Sequence, residues 1–354
     1  MTDGVLSYAR TVDRALTHRA AVSECFLTDA LRTGERTFRV AAQPPRAHLY
    51  YSDHVTDART APSYDPLLVL EIFRQSCILA SHEYLAAPQD SSFVFDRGTL
   101  EVTDPEALTV GERPAALTVE GEFTEVRERA GRPCGATAEV RASVDGRAAA
   151  TMRLAFRWIP RRSMLQLRAR ARTALAGTPH RAHPLVNRLV PAQVGRELSA
   201  NVVLGRVTVS SAPQADPEVV AQVVVDRGHP ALFDHYVDHI PGAVMFEALR
   251  QTATAAAREL CGLDVAPQHL ALTGCEVTFR KFGEFELPTD CRARVAEGAD
   301  GRPVLDLVLE QEGDVLASAR VTLAVRDRAL SERDGCGSRD VVVPGAHPRL
   351  LTAA

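Results

Sequence analysis

The chain is almost without lysine. Lys281 is the single one among 41 basic side chains, so any phosphate site here must be built from arginine, histidine or backbone amides. The seven cysteines (Cys25, Cys77, Cys134, Cys261, Cys275, Cys291 and Cys336) contain no Cys-x2-Cys pair. Scattered and odd in number, they argue against a disulfide framework and against a zinc knuckle. No run of about 18 apolar residues occurs, and the opening Met-Thr-Asp-Gly-Val-Leu-Ser-Tyr-Ala-Arg lacks a basic start followed by an apolar core. Neither a membrane span nor a secretory leader is therefore expected, and a reducing cytoplasm is the default. A formal net charge of -4 with 24% charged residues gives no bias toward nucleic acid.

What the chain does have is one constellation written twice. His48, Asp53, His54 and Asp57 precede an apolar stretch with Glu71, Arg74 and Gln75; His229, Asp234, His235 and Asp238 precede one with Glu247, Arg250 and Gln251. His-x4-Asp-His-x2-Asp and Glu-x2-Arg-Gln recur with identical spacing, which points to a duplicated domain. Upstream, Thr17-His18-Arg19 recurs weakly as Val194-Gly195-Arg196. The expected organisation is a first domain at residues 1–160, an arginine-rich linker at 161–191, a second domain at 192–328, and a disordered tail at 329–354.

Each half reads as strands, a polar loop, one helix, and more strands. In the first, 20–28 and 36–42 look extended, and a helix follows with Asp65 as cap and Pro66 in its first turn. That helix is apolar on nearly every face, the mark of a buried one. Strands are expected at 115–128, 135–144 and 148–158, with Asp145-Gly146 as a hairpin turn. In the second half, strands at 201–210 and 218–226 precede a helix from Pro241-Gly242 to about Cys261. Strands at 270–282, 291–296, 304–311 and 315–325 complete it. One buried helix against antiparallel strands, twice, is an α+β arrangement.

The repeated residues are those that acid-base chemistry uses. Glu71 and Glu247 sit on apolar helices, where burial raises a carboxylate pKa toward neutrality and suits a general acid or base. The structural alternative is an i,i+3 ion pair with Arg74 or Arg250. Those arginines, with planar and permanently charged heads, suit a bidentate contact with phosphate or carboxylate. His54 and His235 precede their helices by a loop that can bring an imidazole to the helix N-terminus, where free amides can hold an oxyanion and Gly242 gives close access. The plainer reading is that histidine and aspartate hydrogen-bond the loop. A metal site from Asp234, His235, Asp238 and His239 is disfavoured, since Ala58 stands in the first copy where the second has His239; no metal and no cofactor are expected. The arginines between the halves, Arg168, Arg170 and Arg172 among them, read as a solvated linker or as a docking surface for an acidic carrier protein.

The string from Phe233 to Gln251, Phe-Asp-His-Tyr-Val-Asp-His-Ile-Pro-Gly-Ala-Val-Met-Phe-Glu-Ala-Leu-Arg-Gln, resembles a superfamily at two levels. His followed by Pro-Gly-x4-Glu-Ala-x2-Gln is similar to the active-site segment of hotdog-fold dehydratases. Asp-His-x2-Asp-His-Ile-Pro-Gly with the Arg-Gln ending resembles the A-factor biosynthesis (AfsA-type) proteins, the γ-butyrolactone synthases of actinomycetes. The first half follows the same family's N-terminal repeat in Leu16 to Glu24, Pro45-Arg46-Ala47-His48, Tyr51, Asp65-Pro66-Leu67-Leu68 and Glu71 to Gln75.

The resemblance implies a tandem (double) hotdog fold, each half a long helix wrapped by a curved antiparallel sheet. The chain would then be a monomer carrying its pseudo-dimer within itself. As in the dehydratases, it would pair the histidine of one half with the carboxylate of the other: His235 with Glu71, His54 with Glu247. It implies acyl transfer, a β-ketoacyl group passing from acyl carrier protein to a hydroxyl of dihydroxyacetone phosphate, as in a 2-oxo-3-(phosphooxy)propyl 3-oxoalkanoate synthase. Glu71, Glu247, His54 and His235 would be catalytic; Arg74, Arg250, Gly242, Gln75, Gln251, Asp234, Asp238, His229 and His48 would bind substrate. An arginine on the helix, which a dehydratase does not need, favours a phosphorylated acceptor. The rivals are a hotdog dehydratase or thioesterase and a non-catalytic acyl-binding regulatory protein. The first copy departs from the pattern, with Asp65-Pro66 for Pro241-Gly242 and five more residues between Asp57 and Glu71, so unequal sites are expected.

Overall fold

The structure, a computed structural model, describes residues 4–54, 61–176, 187–210, 216–298 and 301–326. Asp57, the 177–186 segment with His180, Arg181 and His183, and the expected tail lie outside them. The first half runs β1 (Leu27–Arg32), β2 (Thr37–Ala42), α1 (Pro66–Tyr84), β3 (Ser91–Val102), β4 (Leu117–Arg129), β5 (Arg132–Val144) and β6 (Arg147–Pro160). After α2 (Arg161–Ala176), the second half repeats the order with β7 (Leu204–Ser210), β8 (Glu218–Val223), α3 (Gly242–Leu260), β9 (Leu270–Phe279), β10 (Asp290–Val295), β11 (Val304–Gln311) and β12 (Asp314–Val325).

All twelve strands form one antiparallel sheet in the order β1-β2-β4-β5-β6-β3-β9-β12-β11-β10-β8-β7. Read from either end the order within a half is the same, so the duplication seen in the sequence is a pseudo-two-fold axis in space. The axis passes between β3 and β9, which pair from Arg97↔Thr278 to Glu101↔Gly274. This is the α+β double hotdog: α1 packs on the strands of the first half and α3 on those of the second, and one hydrophobic core runs through both.

Local chemistry explains the elements. The Asp65 side chain accepts from Leu67 N at 2.8 Å, Pro66 occupies the first turn, and apolar residues on every face leave α1 buried along most of its length. Asp145 and Gly146 both take positive φ, as a tight two-residue hairpin turn between β5 and β6 requires. Three expectations need correction. Residues 22–24 form a 3-10 turn and the strand begins only at Leu27. β3 was not expected, because Asp96-Arg97-Gly98 interrupts its pattern; a bulge between Phe95 and Arg97 absorbs that break. The arginine-rich linker begins as the helix α2 and is not solvated throughout, since Met164 and Arg168 are buried.

Candidate functional site

The two repeated helices meet near-identical polar networks. In the first half, Glu71 accepts from Arg19 Nε at 3.0 Å, from Arg74 Nε at 2.8 Å and Nη2 at 2.9 Å, and from Gln75 Nε2 at 2.7 Å. In the second, Glu247 accepts from Arg196 Nη2 at 3.0 Å on both oxygens, from Arg250 Nε at 3.1 Å and from Gln251 Nε2, with Tyr50 Oη added at 2.7 Å. Burial alone would raise both carboxylates. Arg19 and Arg74 outweigh it at Glu71 and hold it down at about 2; Arg196 and Arg250 outweigh it at Glu247, which is also lowered. The expectation of glutamates poised near neutrality is therefore reversed: these are fixed anions that position arginines. Arg19 and Arg196 were not among the expected site residues, although the weak upstream repeat marked them.

Other members of the constellation turn out to hold the frame. Gln75 and Gln251 are fully buried; each ties its helix to the strand before it, Gln75 through Phe26 N and Glu24 O, Gln251 through Val203 N and Asn201 O. His48 Nδ1 accepts from the amides of Tyr50 and Tyr51, and His229 Nδ1 from those of Ala231 and Leu232. That leaves Nε2–H of each ring to donate, to Glu24 Oε1 at 3.1 Å and to Asn201 Oδ1 at 2.7 Å. These four residues are structural rather than substrate-binding, because every polar atom is already used.

The aspartates lock the halves together. Asp234 accepts from Ala20 N at 2.7 Å and Ala21 N at 2.9 Å, while Asp53 accepts from Glu197 N and Leu198 N, both at 3.1 Å. Each aspartate thus clamps the segment that follows Arg19 or Arg196 in the opposite half. Asp238 pairs with Arg168 at 3.1 Å, and Arg168 also reaches Glu284 at 2.7 Å. The Asp234 side chain is fully buried, Asp238 is engaged by Arg168 and His239, and Arg168 is not a docking residue but a buried ionic strut.

The two helix N-termini differ sharply. Ahead of α1, the Asp65 carboxylate already accepts from the Leu67 amide, and Pro66 has no N–H to offer. His54 Nε2 lies 3.2 Å from Asp65 Oδ2, at ion-pair distance though off the line of a hydrogen bond. The cavity there, between His54, Asp65 and Arg250, has about 20 Å³, room for one water. Ahead of α3, Pro241 supplies no side-chain cap, and a Cβ built on Gly242 meets nothing within 4 Å. This end opens into a cavity of about 1260 Å³ lined by residues of both halves, among them Glu71, Arg74, Asp234, His235 and Gly242. His235 Nδ1 is 3.3 Å from Asp234 Oδ2, and its side chain is 46% exposed. Phe95, Phe246 and Phe279 line the same space in mutual edge-to-face contact, with centroids 5.5 to 6.0 Å apart. His235 and Glu71, from opposite halves, are thus brought to one cavity; His54 and Arg250 line the small one, but Glu247 does not, and His54 faces Asp65 rather than Glu247.

A-factor biosynthesis hotdog domains match residues 2–160 and 177–327 of this chain. The chain belongs to that family. Its relatives include a 2-oxo-3-(phosphooxy)propyl 3-oxoalkanoate synthase of Streptomyces virginiae, 36% identical over 82% of this chain and 89% of that protein. One of the same name from Streptomyces coelicolor is 29% identical over 87% and 90%. Among solved structures, the dehydratase domain of a mycocerosic acid synthase-like polyketide synthase superposes with a TM-score of 0.48, at 16% identity over 84% of this chain and 94% of that one. The family's two matched ranges leave out 161–176, the residues of α2. No helix among the described residues is long and apolar enough to cross a membrane.

Proposed function

We propose that the chain is an acyltransferase that moves a β-ketoacyl group from the thioester of an acyl carrier protein to a hydroxyl of dihydroxyacetone phosphate. The product is the ester from which γ-butyrolactone, butenolide or furan autoregulators are made. The observation that carries this reading is Arg74. Its Nε and Nη2 are held by Glu71, it is 28% exposed, and its Nη1 makes no hydrogen bond among the described residues, so a fixed guanidinium lining the large cavity keeps a donor to offer. A guanidinium so placed suits the phosphate of a small acceptor. The apolar wall of Phe95, Phe246 and Phe279 suits the acyl chain.

Chemistry is assigned to the open cavity alone. His235, with Nδ1 turned toward Asp234, presents Nε2 as the base that takes the proton from the acceptor hydroxyl. The hydroxyl oxygen attacks the thioester carbonyl, and the developing oxyanion is held by the uncapped amides at the start of α3, with Gly242 allowing close approach. The carbon–sulfur bond then breaks, the thiolate leaves with the proton carried by His235, and the ester remains. Glu71 keeps Arg74 in place and does not itself move a proton. Because residues of both halves line this cavity, a single chain holds a complete site.

The test is to incubate the protein with a β-ketoacyl thioester, with and without dihydroxyacetone phosphate, and follow both thioester loss and product mass. Acceptor-dependent loss with a phosphorylated ester is expected. Equal loss without acceptor, and no ester, would make the chain a thioesterase.

A further inference from the structure

One histidine of the large cavity, His18, has no part in the reading above, nor does the buried His82 behind it. His18 Nε2 lies 2.9 Å from His82 Nε2, and His82 Nδ1 is 2.8 Å from Ala87 O. The carbonyl can only accept, so His82 carries its proton on Nδ1 and its Nε2 must accept from His18 Nε2–H. That fixes the tautomer of His18 and leaves its Nδ1 with no hydrogen bond among the described residues, on a ring that lines the cavity beside Arg74. Phe93 packs edge-on against both imidazoles, with centroids at 5.1 and 5.3 Å, and holds the pair in register.

The backbone does not explain why a histidine stands here. His18 adopts the left-handed conformation at φ 55°, and its counterpart in the other half, Gly195, does so at φ 71°. Glycine takes this conformation freely, whereas a side chain there is strained. Gly195 lines the small cavity, whereas His18 lines the large one.

We propose that His18 is a second ligand for the acceptor's phosphate, acting beside Arg74 and taking up a proton from solution as the phosphate enters. This rests on the acceptor reading given above. The charged and titratable groups that act on His18 are His82 and Arg74 from α1 and His235 from the loop before α3, while Arg19, Glu71 and Asp234 line the same cavity. Burial, then His82, Arg74 and His235, press the ring down from 6.5 to about 4, so without a ligand it is neutral. A dianion bound at Arg74 offsets that field; the ring then protonates on Nδ1 and donates to a phosphate oxygen, while Nε2–H stays on His82. Neutral His18 accompanies an empty site, and cationic His18 a filled one.

Inorganic sulfate, which does not titrate between pH 5 and 8, is a suitable probe of the full-length protein by calorimetry. Affinity is expected to fall roughly tenfold or more from pH 5 to pH 8, with proton uptake revealed by comparing buffers of different ionisation enthalpy. His18→Asn, which tolerates the left-handed backbone, should bind with little dependence on pH and no uptake. His235→Asn, made because His235 faces the same space, should keep both. Persistence of proton uptake in His18→Asn, or pH-independent binding by the unaltered protein, overturns the role of His18 and leaves Arg74 as a phosphate site. Absence of sulfate and dihydroxyacetone phosphate binding at every pH overturns the phosphate site itself and the acceptor reading with it. A thermal melt of His18→Asn matching that of the unaltered protein shows that the loss is one of recognition.

Discussion

Arg196 tests whether the second polar network is a scaffold or a second active centre. Its side chain is 0% exposed. It donates to both oxygens of Glu247, and to the carbonyls of Tyr50 at 2.8 Å and Asp53 at 2.9 Å. Arg196→Met preserves much of the volume and removes all of these bonds. Two buried carbonyls lose their donor and Glu247 keeps only Arg250, Gln251 and Tyr50. Breaking a buried ion pair from one side costs about 3–5 kcal/mol. In a chain of this size that corresponds to a fall in Tm of roughly 5 °C, measurable by thermal or urea unfolding. Adding Glu247→Gln should cost less than its own single effect, since the uncompensated charge is then gone. At a temperature where the variant is folded, acyl transfer should proceed with unchanged KM for the acceptor. A loss of stability below about 1 kcal/mol, or abolished transfer in a protein as stable as the original, would refute the assignment of this half to structure.

Four further outcomes follow from the same geometry. Arg74→Ala should raise KM for dihydroxyacetone phosphate by about 10- to 100-fold, the worth of a charged hydrogen bond, with little change for the acyl donor; equal effects on both would make Arg74 structural. Gly242→Ala meets no atom in the empty site, so its Tm should be unchanged while kcat falls, and an undiminished kcat would remove the α3 amides from the mechanism. Glu71, held at about 2 against an ordinary 4.5, is a depressed carboxylate. Its contribution of about 3 kcal/mol is present above pH 4.5 and lost as pH falls toward 2; a Glu71→Gln variant that follows the same acid-unfolding curve as the original would contradict this. On α2, Arg170 is exposed whereas Arg168 is buried, so Arg170→Glu should slow transfer from a carrier-bound donor at low salt and not from a small thioester, and equal slowing of both donors would exclude docking there.

Much of the fold was legible because the duplication repeats a pattern that only a buried helix and alternating strands satisfy. Asp65-Pro66 and Pro241-Gly242 start α1 and α3 where those residues predict, and Asp145-Gly146 turns where its dipeptide demands positive φ. β3 was not legible, since its bulge depends on β6, about 60 positions away, and its other edge pairs across the halves with β9, Arg97 facing Thr278. Likewise, nothing in the spacing of Arg161 to Ala176 shows that Arg168 finds Asp238 and Glu284.

At the site, sequence alone determined which residue types are repeated, that Glu71 and Glu247 have arginine three residues on, and that the two copies differ at the helix start. Tertiary structure decided what those facts mean. A carboxylate on an apolar helix is raised by burial or lowered by its partners, and Arg19 and Arg196, distant in sequence, settle the sign by bringing a second cation to each glutamate. The difference between Asp65-Pro66 and Pro241-Gly242 became a difference between a capped helix beside a space of about 20 Å³ and an uncapped one facing about 1260 Å³, because cavity volume depends on how both halves pack and is written at no single position.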